Sequence, residues 1–191
     1  MRKVILKMQL SLDGIVSGEG DWMSFSDSIV SDAMKYYETL DTIIVGSKFY
    51  TFLSDYWQAA EKSSSSLIEK NFASRMNAID KIVLSRTPVN LTWKNSRCVN
   101  FNNTEDLMAI IRQLKNTPGK DISVESGIGM WKLFLRHNIF DALLLYVHPI
   151  IAGNGIRLFE TVQARAALTL KESKTLDRGV IKLFYEITDR Q

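Results

Sequence analysis

The sequence predicts an α/β fold in which a mostly parallel central sheet is covered by helices on both faces and finished by an antiparallel C-terminal hairpin. Three observations carry that reading. Residues 42–45 and 81–84 are short, mainly apolar runs with the β-branched content of strands buried on both faces of a sheet. Amphipathic segments lie between such runs, and Leu107, Ile110, Ile111 and Leu114 recur at helical spacing. The tail instead alternates, with Ile181, Leu183, Tyr185 and Ile187 on one face, as expected of an antiparallel pair.

In chain order, residues 4–10 alternate and open the fold as a strand, and Ser11-Leu-Asp-Gly14 turns it into a glycine-rich loop over 14–20. Ile29, Val30, Ala33, Tyr37 and Leu40 then predict a helix over 26–40, capped by Ser26 or Asp27. The strand over 42–45 ends at Gly46, and a helix follows from Ser47 to about Tyr56. The serine run 63–66 reads as a mobile surface loop, followed by a helix over 66–77 and a strand over 81–84 that Ser85-Arg-Thr-Pro88 stops. A strand over 98–101 precedes a helix capped by Thr104 and broken by Pro118 and Gly119. Residues 121–125, 130–137 and 140–147 read strand, helix, strand, and the chain closes with a hairpin over 166–170 and 181–187.

Composition narrows the function classes. With 191 residues, 46% apolar and 24% charged, the chain suits one well-packed domain over 1–191, with no compositional boundary. A net charge of +3 without a basic cluster interleaved with aromatics argues against nucleic acid. One cysteine and two separated histidines provide no metal constellation, so no metal is expected. Lys7 and Gln9 interrupt the first apolar run, and 142–147 is too short to span a bilayer, so no membrane association and a cytoplasmic location are expected. No Gly-x-Ser-x-Gly occurs, which disfavours hydrolase chemistry.

The most informative stretch is 121–159, which reads strand, small-residue turn, helix, strand and second glycine turn. A strand that turns directly into a helix leaves the first helical N–H groups open to a phosphate. Gly-x-Gly occurs at 18–20, 127–129 and 153–155, but none carries the third glycine of a dinucleotide fingerprint, and each alone reads more readily as a turn than as a ligand cradle.

Taken together, Ser11-Leu-Asp-Gly14, the strand and turn at 121–129, Asp141-Ala-Leu and Pro149-Ile-Ile-Ala-Gly-Asn-Gly155 followed by Leu158-Phe159 resemble the dihydrofolate-reductase-like superfamily. Within it they are most similar to stand-alone proteins resembling the C-terminal reductase domain of the bifunctional riboflavin-biosynthesis deaminase-reductase. The resemblance spans about 4–159 and implies a three-layer sandwich that binds NADPH and passes hydride to a pteridine-like or aminopyrimidine substrate, a small heteroaromatic molecule. The chain lacks the deaminase domain and zinc motif that would ordinarily accompany a riboflavin role. The alternative is a nucleotide-binding or sensor protein that has kept the fold and lost the chemistry.

The resemblance places the cofactor pyrophosphate at Ser126, Gly127, Ile128 and Gly129, where Ser126 replaces a usual glycine. Gly46, Ser47 and Lys48 stand where the family has Gly-Arg and a basic residue, and Ser85 and Arg86 match its adenosine-side loop. A 2′-phosphate would then rest on Lys48 or Arg86, and each has an alternative as a solvated surface cation. Asp13 fits a substrate contact or an Asx-type turn, and Trp22 fits a wall for a flat substrate or core packing. Asp27 and Asp32 are the helix carboxylates available for anchoring the substrate and assisting protonation; their alternatives are a first-turn charge favoured by the helix dipole and a solvated face residue. His148 reads as structural. Pairing of the closing hairpin with its copy would give a homodimer, which is compatible with catalysis.

Overall fold

The computed structural model describes residues 1–160, 162 and 165–190. The chain runs β1 (Val4–Ser11), α1 (Glu19–Trp22), α2 (Asp27–Glu38), β2 (Leu40–Gly46), α3 (Ser47–Ser63), α4 (Leu67–Ala78), β3 (Asp80–Ser85), β4 (Ser96–Asn100), α5 (Thr104–Asn116), β5 (Asp121–Val124), α6 (Ile128–Arg136), β6 (Ala142–His148), β7 (Ala166–Thr175) and β8 (Ile181–Arg190). It divides into two compact units. One comprises Met1–Arg2 and Val30–Gly127, the other Lys3–Ile29 and Ile128–Gln191.

In the first unit the strand order is β4-β3-β2-β5, all parallel, with Ile44 paired to Ile82 and to Val124. Ile43, Ile44, Val45, Val83 and Val124 are fully buried, as the apolar runs require of strands covered on both faces. Lys81 is also fully buried. Its ammonium donates to the carbonyls of Asn77 at 2.7 Å and Lys94 at 3.1 Å and lies 4.4 Å from the centre of the Trp93 ring, and desolvation lowers its pKa to about 8. Arg2, 8% exposed, is held by Asp41, Thr42, Thr117 and the Lys120 carbonyl.

In the second unit β1 pairs in parallel with β6, β6 pairs antiparallel with β8, and β8 pairs antiparallel with β7. Val4, Leu6, Met8, Leu144 and Tyr146 form its buried strand core, and Phe134 of α6 is fully buried as well. The expected class of mostly parallel strands with an antiparallel C-terminal hairpin is therefore present. β7 is a long strand with nearly every residue exposed, and register shifts at Ala167/Leu168 and Leu170/Glu172 mark bulges of the kind that blunt an edge.

Several boundaries differ from the sequence reading for local physical reasons. The helix begun at Ser47 continues to Ser63, because residues 58–62 are good helix formers and contain no breaker. The serine run is a helix junction rather than a loose loop. Ser63 donates to the Ala59 carbonyl, Ser66 caps α4 by accepting the Glu69 N–H at 3.3 Å, and Ser64 bonds Glu69. The cap of α5 is Asn103, whose side chain accepts the Asp106 N–H at 2.9 Å, and Thr104 is the first helical residue. Ser26 does cap α2, accepting the Ile29 N–H at 3.3 Å.

Candidate functional site

In the first unit, β2, β3 and β5 each end in a small polar turn. Gly46 closes β2 and is the N-cap of α3, and no side chain caps that helix. The first turn of α3 contains no acidic residue, whereas those of α2, α4 and α5 do. The head of α3 thus presents helical N–H groups and the positive end of the helix dipole without an internal anion. Ser47 is half-buried there and Lys48 exposed.

At the end of β5 the Glu125 N–H donates to the Ile44 carbonyl at 2.9 Å, and Ser126, 4% exposed, accepts the Gly46 N–H on its hydroxyl at 2.9 Å. The serine that departs from the usual glycine therefore ties two strand ends together, and its own O–H is still a donor. Gly127 lies beside the Phe49 ring, where an added Cβ would make only ordinary 3.7 Å contacts. Ile128 and Gly129 begin α6. Gly129 has neither a left-handed φ nor any atom within 4 Å of an added Cβ. A glycine in a helix costs about 1 kcal/mol relative to alanine, and here it brings no packing or conformational return, which suits a position a ligand must approach closely.

The turn after β3 is built by its own polar groups. Ser85 is buried and accepts the Thr87 N–H at 3.2 Å, and the Asn100 amide donates to the carbonyls of Ser85 and Thr87 at 3.3 and 3.1 Å. Ser85 is therefore a turn residue. Arg86 is exposed, with its guanidinium carbon 5.8 Å from the centre of the Phe101 ring. Asn100 escaped the sequence reading; the available signal was its place in the strand that follows Ser85, and the two residues are register partners.

In the second unit the loops after β1 and β6 are fastened by Asp13. One carboxylate oxygen accepts from the Ser11 hydroxyl at 2.6 Å and the Ala152 N–H at 3.0 Å, and the other accepts the Gly153 N–H at 2.9 Å. The Ser11 hydroxyl, followed by the Ala152 N–H, holds the Asp13 carboxyl down at about 2. Arg157 donates to the Asp13 carbonyl at 2.8 Å. Gly153 is left-handed, and at Gly155 a Cβ would collide with Ile15 and Ser17 at 2.6 Å, so both glycines are structurally required.

Trp22 is buried, donates its indole N–H to the Ser17 carbonyl at 2.9 Å, and meets His148 edge-on at 5.5 Å between ring centres. His148 accepts the Ser24 N–H on Nδ1 at 3.2 Å and lies 2.8 Å from the Gln9 amide oxygen through Nε2, an arrangement that assigns the proton to Nε2. Burial lowers its pKa.

Of the two helix carboxylates, Asp27 is exposed in the first turn of α2, as a dipole-favoured charge would be. Asp32 is 3% exposed, so the solvated-face alternative for it is wrong. The i−3 and i+4 neighbours Ile29 and Tyr36 are buried as well, and the three residues share the inward stripe of the helix.

A cavity of about 370 Å³ in the first unit is lined by Arg2, Thr42, Lys81, Arg97 and Thr117 among others. It lies at the amino ends of β2 and β3, away from the strand-end turns, and Arg2 and Lys81 already have protein partners. Among the described residues no group of three or more potential metal ligands assembles, and no helix is long and apolar enough to cross a membrane.

Comparisons with known proteins bear on the fold and the family. An uncharacterized Bacillus subtilis protein, YyaP, is 28% identical over 194 residues, covering 96% of this chain and 94% of its own. A crystal structure of a Shewanella sp. PV-4 protein provisionally assigned to riboflavin biosynthesis superposes with a TM-score of 0.70 at 14% identity, covering 98% of this chain and 99% of that one. The Thermotoga maritima diaminohydroxyphosphoribosylaminopyrimidine deaminase/5-amino-6-(5-phosphoribosylamino)uracil reductase superposes with a TM-score of 0.66 at 16% identity, over 97% of this chain and 56% of that chain. At these identities the superpositions establish the fold. The family model described as the RibD C-terminal domain matches residues 2–182, and the chain belongs to that family.

Proposed function

We propose that the protein is an NADPH-dependent reductase that transfers hydride to a pteridine-like or aminopyrimidine small molecule. The observation that carries the cofactor reading is the head of α3. It has no side-chain cap and no acidic residue in its first turn, directly after a strand-end glycine whose N–H is fixed by Ser126. Gly46, Ser47, Ser126, Gly127, Ile128 and Gly129 would hold the phosphates of the dinucleotide, Lys48 and Arg86 its 2′-phosphate, and Ser85 would shape the loop that presents Arg86. The bound dinucleotide supplies the hydride. The chain's own tasks are to orient the acceptor and bring a proton to it, for which the buried Asp32 is the carboxylate proposed and Asp27, on the exposed first turn, the alternative that its own substitution tests. One domain over 1–191, a cytoplasmic location and homodimerisation through the C-terminal hairpin belong to the same proposal.

A second reading, a nucleotide-binding sensor without turnover, is favoured by one observation. Asp13 and Trp22, the two substrate candidates, spend their polar groups on internal contacts. Calorimetric titration with NADPH and NADH, followed by NADPH oxidation assays with pterins, folates and aminopyrimidines, separates the two. The reductase reading expects micromolar NADPH, much weaker NADH, and oxidation that depends on one of the substrates. Tight NADPH without oxidation on any of them selects the sensor, and absence of binding to either dinucleotide removes both readings.

A further inference from the structure

His148 is the point at which the sheet of the second unit holds the connector that runs from β1 to α2. It ends β6, and β1 and β6 are paired continuously from Ile5 and Ala142 to Ser11 and His148. The connector is the weaker partner. Its helix α1 is four residues long, follows the left-handed Gly18 and has no side-chain cap. The N–H groups of Asp21 and Met23 and the Trp22 indole donate to Gly18, Glu19 and Ser17, within the connector itself. Among the described residues, the one hydrogen bond from 18–25 to a strand is that of the Ser24 N–H to His148 Nδ1 at 3.2 Å. A backbone N–H only donates, so Nδ1 is the unprotonated nitrogen and Nε2 carries the proton toward the Gln9 amide oxygen of β1 at 2.8 Å. A second ring proton would leave the Gln9 contact intact and set two donors against each other at Ser24. The connector is then the side that gives way, because the ring stays tied to β1 through Gln9 and to β6 through its own backbone. The charged groups on the bordering segments are Lys7 on β1, Asp13, Glu19 and Asp21 in the connector, Asp27 on α2 and Lys182 on β8. None of them adds a charge to His148, whose pKa is lowered by burial alone.

We infer that His148 is an acid-released latch: the neutral ring fixes the turn over 23–26 through the Ser24 N–H, and protonation of the ring frees that turn while β1 and β6 stay paired. The turn leads directly into α2, the helix of Asp27 and Asp32, so His148 is a positioning residue for the start of that helix. The latch rests on hydrogen-bond geometry and stands apart from the cofactor and substrate readings. Its sign follows from linkage. With the turn open, His148 has its ordinary pKa of about 6.5, and with the turn closed a lower one, so acid favours opening.

The test is amide hydrogen exchange followed by NMR between about pH 7.5 and 5, on wild type, His148→Gln and His148→Ala, with rates corrected for the intrinsic pH dependence. In wild type the Ser24 amide is expected to be protected at neutral pH and to lose protection below about pH 6.5, by up to about tenfold per pH unit until the folded pKa is passed. The buried strand residues Leu6 and Leu144 should stay protected far beyond Ser24 at every pH, which marks the opening as local. His148→Gln can accept from Ser24 and donate to Gln9 without titrating, and should keep Ser24 protected across the range. His148→Ala should leave Ser24 unprotected throughout. Three results overturn the latch: Ser24 protection in wild type that does not change with pH, the same acid loss in His148→Gln, or Ser24 exchange as slow as that of Leu6 and Leu144, which would tie it to global unfolding. Wild type and His148→Gln alone decide between these outcomes, even if His148→Ala does not fold.

Discussion

The Ser126 hydroxyl accepts the backbone N–H of Gly46 at 2.9 Å, bridging the ends of β5 and β2 in the first unit. A glycine at 126 would leave that buried N–H to find another partner. Ser126→Ala should therefore destabilise the protein by about 1–3 kcal/mol, the usual cost of stranding a buried donor. It should also weaken NADPH, because both the position of the Gly46 turn and the donor O–H are lost. Urea denaturation and calorimetry check the two effects. Unchanged NADPH affinity in a destabilised variant would reduce Ser126 to a structural tie.

Lys48 and Arg86 are exposed cations at the ends of adjacent strands, and neither forms an ion pair with a carboxylate among the described residues. Lys48→Ala and Arg86→Ala should each weaken NADPH by about tenfold while leaving NADH nearly unchanged, the signature of a contact with the 2′-phosphate. The effect should shrink at high salt, since both groups are solvated. Equal weakening of both dinucleotides would sink that assignment for the residue concerned.

Asp13 clamps the loop after β6 to the loop after β1 through the N–H groups of Ala152 and Gly153. Its folded pKa is depressed to about 2, so the clamp's stabilising contribution is complete above the ordinary carboxylate value and is lost only as pH falls through about 2. Hydrogen exchange at Ala152 and Gly153 should be slow and insensitive to a change from pH 7 to 5 beyond the intrinsic chemistry, and Asp13→Ala should make both amides exchange fast. Protection that persists in Asp13→Ala would show that the loop holds itself.

Much of this was legible in the sequence, and what was missed has a common cause. Alternation and apolar runs located β1, β2, β3, β5, β6 and β8, because burial on one face or two leaves a direct imprint on residue type, whereas β7, exposed along nearly its whole length, was read only over 166–170 of its Ala166–Thr175 span. The small-residue turns after β2 and β5 were legible as well. Residues whose role depends on contacts distant in the chain were not. Lys81 read as the first residue of an apolar strand, and only the Asn77 and Lys94 carbonyls and the Trp93 ring explain a fully buried ammonium there. Asp32 has the helical spacing of either an inward or an outward carboxylate, and packing decides. Asp13 left two readings open because its Asx geometry is local while its partners at Ala152 and Gly153 lie far along the chain.

His148 is buried with Nδ1 facing the Ser24 N–H, so a second ring proton would point at a donor. Burial lowers its folded pKa below the ordinary 6.5, and the unfolded chain therefore binds more protons as the solution is acidified. Stability should fall as pH drops through 6.5 toward the folded pKa, by at most about 1.4 kcal/mol per pH unit from this group. His148→Gln, which keeps a donor and an acceptor but does not titrate, should flatten that part of the profile. Denaturation midpoints at several pH values between 5 and 7.5 measure it, and a profile the substitution leaves unaltered would place the acid sensitivity elsewhere.

Asp32 offers the sharpest separation between a reductase and a sensor. It is 3% exposed on the inward stripe of α2, whereas Asp27 lies on the exposed first turn, so the two carboxylates act as test and control on one helix. If Asp32 assists protonation of the bound acceptor, Asp32→Asn should lower turnover by about a hundredfold, the low end for a general acid or base, with NADPH affinity unchanged. Asp27→Asn should leave both unaltered. A buried carboxylate with a purely structural role would show a different pattern, a lowered melting temperature with normal turnover per folded molecule. Measuring kcat and thermal stability on the same samples therefore decides which of the two roles the burial of Asp32 serves.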